Sequence, residues 1–234
     1  MRRAPGQGPC QHDPMSGVLC LQGGREFTAD CREMDADVIA SAGARSVAVL
    51  AGAARVGSDY AGASSRACKH YESLDVEVRV IPDPRVDLRA ALDSMDAGID
   101  LIVLPGGSPS SLLDVLSGQV RERLLELHAA GTAISGASAG AMVMCSHVAR
   151  PDRGDVVDGL GLVDGLALPH WTAGADPRWS VPDVTLWGLP ECGGVIIENG
   201  VPRGVGAGIA SRHRGGDWHP TPRWRVAPGR RVER

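Results

Sequence analysis

Thr132-Ala133-Ile134-Ser135-Gly136-Ala137-Ser138-Ala139-Gly140-Ala141-Met142-Val143-Met144-Cys145 is the stretch on which the fold of this chain turns. An apolar run ends at Ser135, small residues follow, and a helix-forming run begins at Ala141. A strand that passes into a helix through Gly-Ala-Ser-Ala-Gly has the pattern of a nucleophile elbow. The serine of such a turn is held in a tense backbone conformation that only small neighbours permit, which accounts for Gly136, Ala137, Ala139 and Gly140 around Ser138. Its hydroxyl then projects above the sheet, and the helix N-terminus behind it favours developing negative charge. The same residues also suit a plain Gly-rich turn whose serine caps the helix.

Towards the N-terminus the alternation repeats. Residues 17–21, 46–51, 76–81, 100–104 and 132–135 read as short buried strands that end in Gly, Pro or Ser. Helical spacing fills the gaps at 88–95, 111–116 and 120–128. A further helix carries Met34, Val38 and Ile39, opened by a capping box of Asp30 with Glu33 and closed by Gly43. Five such alternations predict an α/β fold of one domain, with a mostly parallel sheet and helices on both faces. In open α/β sheets ligands bind beyond the carboxyl ends of the strands. The turns there are rich in glycine: Gly23-Gly24-Arg25-Glu26-Phe27, then 51–55, Pro105-Gly106-Gly107-Ser108, and the elbow itself. Gly204-Val205-Gly206-Ala207-Gly208 lacks the strand and long helix of a dinucleotide loop and reads as a bent strand edge.

With 234 residues, of which 43% are hydrophobic and 22% charged, the chain can bury a core, so disorder throughout, collagen and coiled coil are excluded. Only 3% is aromatic, so the core must be aliphatic. Net charge is −4, divided into −9 over residues 1–210 and +5 over 211–234. An acidic body argues against a nucleic-acid surface. The domain is expected over 15–210, with residues 1–14 and the basic segment 211–234 as disordered ends and Met15 as an alternative start. Six cysteines without a C-x-x-C pair fit a reducing compartment, with Cys20 and Cys145 as ordinary buried thiols. No apolar run approaches the length of a membrane span and no leader pattern follows Met1, so the expectation is a cytoplasmic protein that meets neither membrane nor nucleic acid. A homodimer is left open.

A serine hydroxyl needs a base within hydrogen-bond reach, and that base needs an orienting group. Of the seven histidines, His147 lies nine residues beyond Ser138 and, on one continuous helix, about 13 Å along its axis. His12, His213 and His219 fall in the expected tails, and His70 and His128 in polar stretches that read as surface. His170, in Leu166-Ala167-Leu168-Pro169-His170-Trp171, follows an apolar strand-like run, as a loop-borne base should; a half-buried histidine at a strand end is the bland alternative. For the acid, Glu191 stands just before the apolar residues 195–197, with Asp164 as competitor and a solvated loop carboxylate as the bland alternative. Trp171, Trp179 and Trp187 lie between base and acid, as a pocket wall or as outward packing. Backbone N–H groups of Gly107 and Ala139 are the oxyanion candidates, Gly106 and Ser108 lie beside them, and Arg178 can meet a substrate carboxylate. Two other hypotheses are a module without catalysis that binds a small ligand or partner over the same strand ends, and an esterase using Asp183 and His213.

Five motifs in order resemble the aspartyl dipeptidase and cyanophycinase group of serine peptidases, which share the class I glutamine amidotransferase-like, flavodoxin-like fold. They are L-Q-G-G-R-E-F at 21–27, D-L-I-V-L-P-G-G-S-P-S at 100–110, G-A-S-A-G-A at 136–141, G-L-G-L-V at 159–163 leading to P-H-W, and G-L-P-E followed by V-I-I-E-N-G. The resemblance implies Ser138 as nucleophile, His170 as base, Glu191 as acid, Gly107 and Ala139 as oxyanion donors, and no metal or organic cofactor. It also implies small substrates containing aspartate, and serine rather than cysteine sets glutaminase chemistry aside. The segment after His170 departs from the group's Arg-rich pattern, and Cys192-Gly193-Gly194 departs from its small polar residues.

Overall fold

The computed structural model describes residues 16–173, 179–214 and 217–223. The five apolar runs form β1 (Leu19–Gln22), β2 (Ser46–Val49), β3 (Glu77–Val80), β4 (Leu101–Leu104) and β5 (Ala133–Ala137), close to their expected bounds. Between and after them lie α1 (Arg32–Ala42), α2 (Ser58–Glu72), α3 (Leu88–Ser94), α4 (Pro109–Val115), α5 (Gly118–Ala129) and α6 (Ala139–Met144). Gly43 closes α1 in a left-handed conformation, φ 60°, as expected. The capping box does not form: Asp30 belongs to a single 3-10 turn before the helix and its carboxylate pairs with Arg25 instead. The helix α2 escapes the apolar pattern because its buried face is carried by Tyr60, Ala63, Ser64, Ala67, His70 and Tyr71, spaced helically but weakly hydrophobic.

The strands β1, β5, β4, β2 and β3 pair in parallel, in that order. Alternate residues enter two different cores. Leu19, Leu21, Ile102, Leu104 and Ile134 face α3 to α6, while Cys20, Val47, Leu101, Val103 and Ala133 face α1 and α2. Burial on both faces is what makes β1, β2, β4 and β5 read as apolar runs; β3, expected to be buried, is instead the sheet edge, with Glu77 and Val80 exposed. Each fully buried aliphatic side chain contributes about 1.5–3 kcal/mol. Two antiparallel strands, β10 (Gly193–Glu198) and β11 (Val201–Gly206), extend the sheet beyond β1, and β11, which takes in Gly204 to Gly206 of the glycine run, is its edge.

A second sheet was not expected. The helix α6 ends at Met144 and the chain enters β6 (Cys145–Arg150) directly, so His147 is a strand residue paired with Asp158 rather than the far end of a helix. With β7 (Asp155–Asp158), β8 (Val163–Pro169), β9 (Leu186–Leu189), β12 (Ser211–Arg214) and β13 (Asp217–Pro220) it forms a mixed sheet in the order β13-β12-β9-β8-β6-β7. This layer packs through Leu166, Leu186 and Trp187 onto the same core as α4 and α6.

The segment from residue 211 is therefore not a disordered tail as far as residue 223, gaps aside: β12 pairs with β9, Arg212 opposite Trp187, and β13 folds back on it. β13 is the edge strand, and within β12 Arg212 lies over the Trp187 ring at 5.9 Å and His213 against Trp218. The expectations for 1–14 and for 224–234 lie outside the described residues. His70 and His128 are buried, at 9% and 6% exposure, rather than surface residues. No helix among the described residues is long and apolar enough to cross a membrane.

Candidate active site

Ser138 stands at the carboxyl end of β5 with φ 49° and ψ −109°, a strained region for a residue with a side chain. Three close approaches hold the turn. A Cβ on Gly136 would stand 2.4 Å from the Gly140 carbonyl carbon, one on Gly140 would stand 2.0 Å from Leu104 O, and Ser138 N–H donates to Gln22 O on β1. The small residues of the elbow are thus demanded by contact with the neighbouring strand and with the turn itself.

Beneath the turn, Gln22 at the end of β1 links a buried carboxylate to Ser135 of β5. Gln22 Nε2 donates to Asp35 Oδ1 (2.7 Å) and to Ser135 Oγ (3.0 Å); His70 Nε2 lies 2.7 Å from Asp35 Oδ2, and Tyr71 O–H donates to Oδ1 at 3.2 Å. Burial, then the Asp35 charge, pushes the Tyr71 phenol well above its ordinary pKa, so it stays a donor. Sequence reading missed this network, whose members come from four elements and share no spacing.

The structure brings the three expected side chains together. Ser138 Oγ lies 3.1 Å from His170 Nε2, and His170 Nδ1 lies 3.4 Å from Glu191 Oε1. With the imidazole proton on Nδ1, the serine donates to Nε2 and the ring donates to the carboxylate. The His170 ring rests on Gly24, where a Cβ would come within 2.3 Å of Cε1, and the His170 backbone N–H donates to Gly23 O. The loop after β1 is thus the floor on which this imidazole sits. The carboxylate of Glu191 also lies 3.8 Å from Arg25 Nε. Both His170 and Glu191 are about half exposed, at 53% and 50%, so this relay opens to water. Next to Glu191 in the chain, the Cys192 thiol meets that of Cys31 at 2.7 Å; burial and the Cys192 contact push the Cys31 thiol up to about 12.

A cleft of about 510 Å³ opens beside Ser138 and His170, walled by Met142, Leu168, Pro169, Trp171 and Trp179. Trp187 does not face it; that ring is buried, with Nε1–H donating to Asp164 O. Asp164 itself is on β8 and points to solvent. His213 lies against Trp218, ring centroids 5.2 Å apart, while the hydrogen bond of Ser138 goes to His170. Gly107, with φ 146°, lines the cleft, and its N–H and that of Ala139, the first residue of α6, are free of intrahelical bonding. The Gly106 N–H is engaged by Glu26 Oε1 at 2.9 Å, a contact not expected from sequence. The Ser108 hydroxyl caps α4, accepting from Ser111 N–H at 3.2 Å, rather than facing the cleft. Arg178 lies outside the described residues. Among the described residues no three His, Cys, Asp or Glu side chains are grouped to hold a metal ion.

A serine on a strand-to-helix elbow with a histidine on its hydroxyl defines a hydrolase of the serine class. The chain belongs to peptidase family S51, whose model matches residues 23–201. It is a serine peptidase, and the non-catalytic module is set aside. Among solved structures, a peptidase from an acI-B1 actinobacterium matches with a TM-score of 0.74 and 21% identity, over 89% of this chain and 95% of that one. A putative peptidase E protein from Listeria monocytogenes EGD-e matches with a TM-score of 0.57 and 19% identity, over 88% and 98%. At such identities the likeness is one of fold. No curated protein matches the sequence.

Proposed function

We propose that this peptidase hydrolyses small aspartyl peptides, Asp-X or β-aspartyl, through Ser138, His170 and Glu191. The observation that carries the reading is the 3.1 Å contact between Ser138 Oγ and His170 Nε2, continued from Nδ1 to Glu191. As His170 Nε2 takes the hydroxyl proton, Ser138 Oγ attacks the scissile carbonyl carbon and the carbonyl electrons move onto oxygen. Gly107 and Ala139 N–H groups receive that oxyanion, each donor worth about 10²–10³ in rate. Collapse expels the amine, which takes the proton back from His170, and leaves an ester on Ser138. Water, deprotonated by the same imidazole, then attacks the ester, and His170 returns that proton to Ser138 Oγ as the acid leaves. Glu191 holds the ring in the required tautomer and offsets its charge while protonated.

Selectivity for aspartate is supported by the five family motifs, with Arg178 as the proposed partner of the substrate carboxylate. A panel of α- and β-linked aspartyl dipeptides beside alanyl, leucyl and phenylalanyl ones tests it, since the described cleft wall is apolar. Aspartyl peptides should be turned over fastest; cleavage confined to apolar ones would overturn the preference. Ser138→Ala should lower kcat at least about 10⁴-fold and abolish covalent labelling by a fluorophosphonate, with the melting temperature unchanged. Labelling that survives the substitution would remove Ser138 from the role.

A further inference from the structure

Two thiols meet where the loop after β1 touches the loop that carries Glu191. Cys31 Sγ lies 2.7 Å from Cys192 Sγ, and both side chains are buried, at 0% and 4% exposure. A single layer of chain covers them: Thr28 Oγ1 stands 3.5 Å from Cys31 Sγ and 3.7 Å from Cys192 Sγ, while Arg25, Ala29 and Asp30 around it are exposed. The Cys192 N–H donates to the carbonyl of Gly24, the residue under the His170 ring, and Cys31 Sγ lies 3.1 Å from Arg25 O. The pair therefore joins the floor of the imidazole to the backbone beside the carboxylate. Among the described residues no third His, Cys, Asp or Glu joins the two sulfurs, as a metal site would require.

We propose that Cys31 and Cys192 are an oxidisable pair, closed by hydrogen peroxide into a disulfide that fastens the two loops together and slows the peptidase. The effect on rate rests on the proposed role of Glu191. Burial and the neighbouring sulfur keep the Cys31 proton in place, so Cys192 is the sulfur that attacks. Cys192 Sγ gives its proton to water and attacks one peroxide oxygen: the S–O bond forms, the O–O bond breaks, and the other oxygen leaves as water once protonated. Cys31 Sγ then attacks Cys192 Sγ while its own proton passes to the departing hydroxyl, so that the S–S bond forms, the S–O bond breaks and a second water leaves. The two thiols lose two electrons and one peroxide is reduced to two waters. Closing the bond draws the sulfurs from contact to covalent distance, by roughly 0.6 Å. Glu191 is the next residue, its contact with His170 Nδ1 is already 3.4 Å long, and a shift of that size lowers the rate about tenfold.

The full chain, reduced with dithiothreitol and then exposed to hydrogen peroxide, supplies the test. A peptide linking residues 31 and 192 should appear in its proteolytic digest, and the melting temperature should rise by several degrees because the bond closes a long stretch of chain. For aspartyl p-nitroanilide kcat should fall about tenfold with KM little changed, and labelling of Ser138 by the fluorophosphonate should slow with it. Dithiothreitol should remove the link and restore the rate, which it would not do for oxidised methionine. Cys192→Ser, which lacks the attacking sulfur, should show the same kcat before and after peroxide, and Cys31→Ser should give no linked peptide. Absence of the linked peptide from the oxidised wild-type protein overturns the inference, and so does a linked peptide with turnover and labelling unchanged. Both results are read on the wild-type protein and stand even if a variant fails to fold. If the reduced protein is neither active nor labelled, the catalytic reading falls and takes the effect on rate with it, while the linked peptide still decides whether the pair closes.

Discussion

At position 24 the chain has φ 133°, a conformation side-chain-bearing residues rarely adopt, and the His170 ring occupies the space a Cβ would need. The glycine therefore does two things at once: it permits the turn after β1 and it fixes the height of the imidazole over Ser138. Gly24→Ala should push the ring outward, and a displacement of about 1 Å costs on the order of 10²-fold in rate. Activity and thermal unfolding measured together check this: kcat should fall by about that factor while the melting temperature moves little. A large loss of stability with kcat intact would show that the glycine serves the fold rather than the base. The Gly-Gly pair at 23–24 is legible in the sequence as a turn. Its partnership with His170, 146 positions later, is not, because a van der Waals contact leaves no mark on local spacing.

At the scale of elements, β4 and β2 are joined at their starts by Asp100. Its Oδ2 accepts the N–H groups of Arg45 and Ser46 at 2.9 Å each and the Ser46 hydroxyl at 3.0 Å. Partial burial opposes ionisation, but those hydrogen bonds outweigh it and hold the carboxyl below its ordinary pKa. A depressed folded value means that the stabilisation is present above the unfolded value of about 3.9 and is lost as pH falls through the folded one. Asp100→Ala should therefore cost about 1–2 kcal/mol at pH 7. Urea midpoints taken for both proteins from pH 7 downward should converge below pH 4, and a gap that stays constant into acid would rule the carboxylate out as its source. The first residue of an apolar strand reads from sequence only as a boundary; what Asp100 bonds to is set by the lateral order of the strands.

Across the whole molecule the second sheet carries the wall of the cleft. Trp171 stacks on Trp218 of β13, centroids 4.3 Å apart, and a Cβ on Gly188 of β9 would stand 2.7 Å from the Trp171 ring. Stacked aromatics add about 0.5–1.5 kcal/mol beyond their burial. A chain ended after Ala210 should melt several degrees lower, at about 2–4 °C per kcal/mol, and should bind substrate several-fold more weakly while Ser138 still reacts with a fluorophosphonate. Unchanged KM and melting temperature would show that the hairpin is an appendage. The sequence by itself determined the five parallel strands, most of their helices and the elbow at Ser138. Burial on both faces and small residues in a strained turn are local properties written at fixed spacing. Only the tertiary structure decided that the basic end pairs with β9, that His147 leaves the helix, that His70 is buried against Asp35, and that Glu26 meets Gly106. Each of these depends on which backbone or side chain a distant segment presents, and long-range pairing is fixed by the packing of the whole chain rather than by the spacing within any stretch of it.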